Sequence, residues 1–270
     1  MDPQPIPVAV AYVAAGAGAI ALPLVAFLLL RRRYGLRGRV FLVGAATFFV
    51  FQGLLRLPWL PAFNQWSQAR LGVAATLLLA SLTAALWEET GRYVAYRFVV
   101  RRPAGADAVA MGLGHGGFES AVLVGGGMLV FGLTLMALPA VQAAGGLPAE
   151  VQAQLEQAGR VAVASGVTGP LLALVERVGA LTLHVGLSIL VAAARVRRRA
   201  SLWLAAVAVH FAVNAAAVAL AQAGHTVLAE GAVILLAAAF LAASRRWLPV
   251  LDGAAAVAGE AATGAGGSAP

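Results

Sequence analysis

The sequence contains no cysteine, no lysine and little charge of either sign: only 11% of its 270 residues are charged. Without cysteine there are no disulfides and no thiolate ligands, so any metal site must be assembled from His, Asp, Glu or Asn. The redox compartment therefore leaves no trace in the composition. So little charge is incompatible with an ordinary soluble domain. A basic stretch is also missing from the start, Met1-Asp2-Pro3-Gln4-Pro5, so no cleavable signal peptide is expected.

What is abundant is apolar. Hydrophobic residues make up 61% of the chain and the mean hydropathy is +0.87, which implies an all-α polytopic transmembrane bundle. About seven apolar stretches are long enough for the ~20 residues that a crossing needs: roughly 6–30, 40–57, 71–100, 108–138, 170–194, 202–221 and 227–243. An aromatic and Pro-rich outer loop, Pro58-Trp59-Leu60-Pro61, with Trp66 nearby, is expected between the second and third. Gly125-Gly126-Gly127 in the fourth predicts a kink or break. Between the fourth and fifth, Val151, Leu155 and Ala158 share one helical face, predicting an amphipathic helix on the membrane surface. A single domain over 1–252 and a disordered Gly/Ala-rich tail over 253–270 complete the expected organisation.

The net charge of +8 comes from arginines in short runs between the apolar stretches. That is the distribution of topology signals and not of a nucleic-acid footprint. Arg31, Arg32, Arg33, Arg37 and Arg39, then Arg101 and Arg102, then Arg195, Arg197, Arg198 and Arg199, then Arg245 and Arg246 recur at alternate span ends. They predict a multi-pass protein of the cell membrane with the N-terminus outside and the C-terminus cytoplasmic.

Against this background a few polar residues stand out. Glu88 and Glu89 close an apolar run, although a carboxylate inside a bilayer costs roughly 2.5 to 3.5 kcal/mol even on lenient scales. His115, His184 and His210 each lie in a hydrophobic stretch of their own. Counted from the nearest arginine cluster at 1.5 Å per residue, all of these lie roughly 15 to 20 Å up their helices, on one common level. The first, second and seventh spans carry almost no such groups. Residues four apart share a helical face, which pairs His210 with Asn214, His115 with Glu119, and Glu88 with Arg92. It also aligns Glu176 and Ser188 with His184, where either could orient the ring. Three histidines leave a fourth tetrahedral position for water, and a nearby carboxylate can take its proton. The same groups would also serve an ion or proton relay in a transporter, although no inverted repeat is visible, or a catalytically inactive relative that holds a partner helix.

The run Glu88-Glu89-x-x-Arg92, the stretch Gly112-x-Gly114-His115-Gly116-Gly117-x-Glu119, Glu176 through His184, and His210-x-x-x-Asn214 resemble the YhfC family of intramembrane metalloproteases, relatives of the CAAX-protease and bacteriocin-processing superfamily. The resemblance covers about residues 40–222. It implies an intramembrane endopeptidase, with zinc as the metal, acting on a membrane-associated peptide. Either Glu88 or Glu89 would be the base, Arg92 would position base or substrate, and His210 and Asn214 would bind the water or metal together with His115 or His184. The arginine lies one residue closer to the glutamates than in the usual motif of the wider superfamily.

Overall fold

The computed structural model describes residues 5–146 and 148–264. Long apolar segments in hydrocarbon must satisfy their own backbone polar groups, and helices do so within a single segment. Among the described residues the chain accordingly forms ten α-helices and no strand. They are α1 (Pro5–Tyr34), α2 (Gly38–Phe48), α3 (Leu60–Phe98), α4 (Gly105–Phe118), α5 (Gly126–Ala144), α6 (Ala149–Ser165), α7 (Thr168–Arg197), α8 (Ala200–Gln222), α9 (Thr226–Ser244) and α10 (Leu248–Gly264). Among the described residues seven segments are long and apolar enough to cross a membrane.

Two spans contain π-helical turns. Phe49–Arg56 continues α2, and Glu119–Gly125 joins α4 to α5. The expected break at Gly125-Gly126-Gly127 takes this form: the helix widens just before the glycines and resumes as α5. The expected outer loop after the second span is helical instead, because α3 begins at Leu60 with a proline in its first turn, where a missing N–H costs nothing. This helix bends at Gly72, whose φ of 83° only glycine adopts readily. Ser67 and Thr76 clasp the bend with a 2.9 Å hydrogen bond between their hydroxyls. The expected surface helix is α6, from which only Ala162 is fully buried. Helix α10 occupies positions 253–264, where a disordered tail is expected from composition; residues 265–270 lie outside the described set.

Helix α7 is the axis of the bundle: 78% of its most apolar window is buried, against 17 to 28% for the other spans. The rest wrap around it and offer their apolar outer faces to lipid. Close approach comes from glycine in α4. A Cβ on Gly112 would lie 2.5 Å from the Val185 Cα, and one on Gly114 would lie 1.9 Å from the Phe41 carbonyl oxygen. These contacts press α4 between α2 and α7 and fix the height of His115 relative to His184.

The arginine-rich ends lie together. Arg37, at the start of α2, pairs with Asp107 in the first turn of α4. The Gly105 amide donates to Asp252 of α10 at 2.8 Å, and Arg102 donates to the Ala258 carbonyl at 3.0 Å.

Candidate metal centre

The centre begins with α3. Adjacent residues on a helix point about 100° apart, so Glu88 and Glu89 face different neighbours. Glu88 looks toward α4 and α8, with its Oε2 3.0 Å from His115 Nε2 and 3.9 Å from His210 Nε2. Glu89 looks along its own helix and toward α8. Its Oε1 is paired with Arg92 and lies 2.7 Å from His210 Nδ1. The expected Glu88–Arg92 pair is thus the looser one, at 3.9 Å, and Glu89 is the main partner of the arginine.

Helix α7 supplies His184 from the far wall. Its Nδ1 contacts Arg92 Nη2, and its Nε2 lies 2.7 Å from Glu119 Oε2. Because guanidinium only donates, Nδ1 must accept here, and the ring proton sits on Nε2 facing Glu119. In this arrangement His184 bridges Arg92 and Glu119 and presents no free lone pair. Glu119 opens the π-turns after α4, and its carboxylate meets His184 instead of stacking over His115 as helical spacing alone suggests.

The three imidazoles meet. Ring centroids are 5.3 Å apart for His115 and His184 and 5.5 Å for His184 and His210. One ligand atom each from Glu88, His115 and His184 fall within 4.8 Å of one another. All three histidines and both glutamates are buried. Polar side chains from α3, α4, α7 and α8 therefore converge on one point in the apolar bundle.

A family model described as YhfC intramembrane metalloprotease matches residues 18–256. The chain belongs to the YhfC family. It is also 35% identical over 109 residues to the uncharacterized membrane protein YhfC of Bacillus subtilis (strain 168), a match covering 38% of this chain and 42% of that protein. No solved structure matches.

The metal implied by the family description can be tested against the residues present. Three imidazoles around one tetrahedral ion, each nitrogen about 2 Å away, would place their ring centroids roughly 5 Å apart, and the separations of 5.3 and 5.5 Å agree with this. His210 donates Nδ1–H toward Glu89 and keeps Nε2 free on the side of Glu88, the usual arrangement of a carboxylate that orients a metal-binding histidine. Among the described residues His115 Nδ1 and Glu89 Oε2 are buried without a hydrogen-bond partner, a condition rarely left in a settled apolar interior. The donor set fits a divalent cation. His184 would join it through Nδ1 on releasing Arg92.

The remaining expected site residues are more peripheral. Asn214 lines the adjoining cavity and makes no hydrogen bond to the cluster among the described residues. Ser188 is buried beside Tyr96 and does not orient His184, both of whose ring nitrogens are already taken. Glu176 is one step removed: it pairs with Arg177, which donates to Glu119 Oε1 at 3.0 Å.

Three residues of this network escaped the sequence reading. Gln52 donates to Glu88 Oε1 at 2.9 Å and accepts from Arg56 Nη1 at 3.0 Å. Arg56 also donates to the Ala80 carbonyl at 2.7 Å and to Thr83 Oγ1 at 3.2 Å. The second span is therefore not free of polar groups. The signal was there, since Gln52 and Arg56 are four apart on one face of an apolar run. Arg177, the third, was hidden beside Glu176.

Proposed function

We propose that the protein is a zinc-dependent intramembrane endopeptidase in which His115, His184 and His210 hold the metal and Glu88 is the general base. The observation that carries this reading is the meeting of three buried imidazoles with a carboxylate that also faces a cavity. That cavity, of about 350 Å³, is lined by Glu88, Glu119, His184, His210 and Asn214 but not by Glu89. When bound, the metal would supply Lewis acidity, polarising a peptide carbonyl and acidifying a water.

The chain's own groups divide the remaining work. Glu88 holds Oε1 against Gln52 and turns Oε2 toward His115 and His210, so Oε2, on the side of the three histidines, is the oxygen that takes a proton from water and later returns it to the leaving amine. Arg56 fixes the amide of Gln52 the right way round, because its N–H groups can face only the Gln52 oxygen. Glu89 is the buttress, holding the His210 ring and neutralising Arg92. Asn214, one turn above His210 on the cavity wall, is placed to hydrogen-bond substrate backbone. The substrate is a peptide segment associated with the membrane.

Metal analysis of detergent-purified protein tests this reading. About one zinc per chain is expected, falling below a tenth of that in His115→Ala and His210→Ala, since each removes one of three protein ligands. Unchanged metal content in both variants would leave the imidazole cluster without its proposed role.

A further inference from the structure

The proposed reaction leaves open the side of the membrane from which water and substrate arrive, and the cavity has a direction. On every helix that lines it, the lining residues lie to one side of the centre. On α3 they run from Glu88 back to Leu77, about 16 Å at 1.5 Å per residue. On α7 they run from His184 back to Glu176, and on α8 from His210 on to Val218. The chain runs toward the arginine-rich ends along α3 and α7 and away from them along α8, so all three displacements point away from the arginines.

The opposite direction is packed more tightly: the cavity found there, of about 300 Å³ and lined by Thr90, Tyr93, Ala200 and Trp203, includes none of the centre's residues. Tyr96, Met111, Leu187 and Ala206 are completely buried between the centre and the arginine-rich ends. Side-chain exposure rises the other way, from 4% at Glu88 to 21% at Glu119 and 25% at Glu176.

We infer that the centre opens only toward the outer face of the membrane, and that its substrates are membrane-anchored peptides whose scissile bond is reached from the extracytoplasmic leaflet. The arginine-rich ends are the cytoplasmic ones by the positive-inside bias. Glu119, Arg177 and Glu176 then form a charged throat that keeps the path wet between apolar walls, and a tail exposed only to the cytoplasm has no route in. The substrate class rests on the proposed hydrolysis, but the direction of opening does not.

The absence of cysteine makes this directly measurable. Ser81→Cys is a nearly isosteric change on the cavity wall, Ala217→Cys is a second position on it, and Leu78→Cys, on the exposed side of α3, is the lipid-facing control. Each would be treated with a membrane-impermeant cationic methanethiosulfonate in right-side-out and in inside-out vesicles. Because a thiolate is the reacting form and forms readily only in water, both wall positions should react at least about tenfold faster than Leu78→Cys in right-side-out vesicles. Reaction only in inside-out vesicles would overturn the inference. So would failure to react from either side while Gln157→Cys, on the exposed face of α6, is labelled from outside. Labelling from outside in a chain that binds no metal would retain the opening and remove the hydrolase reading, so the two fail separately.

Discussion

The two adjacent glutamates separate by environment. Glu88 reaches His115, Gln52 and the cavity, while Glu89 is enclosed by Arg92 and His210. Their amides should therefore fail differently. Glu88→Gln is expected to keep its metal while cleavage of a transmembrane peptide library in proteoliposomes falls by about 10²- to 10⁴-fold, the usual cost of a lost general base. Glu89→Gln leaves His210 without its carboxylate and should weaken metal binding by about 10- to 100-fold in competition with a chelator. Loss of metal in the first variant with retention in the second would reverse the two roles. Gln52→Leu should lower turnover without lowering metal content, because the amide touches only Glu88 and Arg56.

Among the elements, the same glycines that let α4 enter the bundle decide whether the histidines meet. Gly112 has no room for a methyl group against Val185 and the His184 carbonyl, whereas Gly127 in α5 has nothing within 4 Å of where a Cβ would stand. Gly112→Ala must push α4 off α7, at a cost of about 1 to 3 kcal/mol for overpacking, and should lower both the unfolding temperature in detergent and the metal content. Gly127→Ala should raise stability slightly or leave it unchanged, by roughly 0.5 to 1 kcal/mol in favour of alanine. Equal effects in the two variants would contradict the packing described for α4.

This is also the scale at which sequence reading reaches its limit. Apolar length and arginine spacing are strong signals, so the spans could be read from them, and α6 from the shared helical face of Val151, Leu155 and Ala158. The common depth of Glu88, His115, His184 and His210 was legible because each interrupts an apolar run. Their partners were not, since partner choice depends on rotation about the helix axis. A π-turn at Glu119 changes that rotation relative to His115 without any mark in composition, and the one signal from Gln52 and Arg56, their spacing of four, is weak near the end of a span, where polar residues are ordinary. The proline at the start of α3 reads equally as loop or as first turn, and the fold resolves it as helix.

For the whole molecule the governing asymmetry is electrostatic. Fourteen arginines sit at or next to one set of helix ends and two, Arg70 and Arg160, at the other, while Arg56, Arg92 and Arg177 lie within spans. Short basic loops resist translocation, so this bias orients the chain during insertion. Alkaline phosphatase, which matures only outside the cytoplasm, should be active when fused after Gly224, between α8 and α9, and inactive when fused after Arg199, between α7 and α8. The reverse pattern would invert the molecule and turn the cavity toward the cytoplasm. Neutralising Arg195, Arg197, Arg198 and Arg199 together provides a quantitative check. If that cluster helps to hold α7 and α8 in place, the substitution should yield a mixed population, with activity appearing at the Arg199 fusion. If the other three clusters suffice, the fusion stays silent, and the orientation, like the direction in which the centre opens, is set redundantly by every arginine-bearing end.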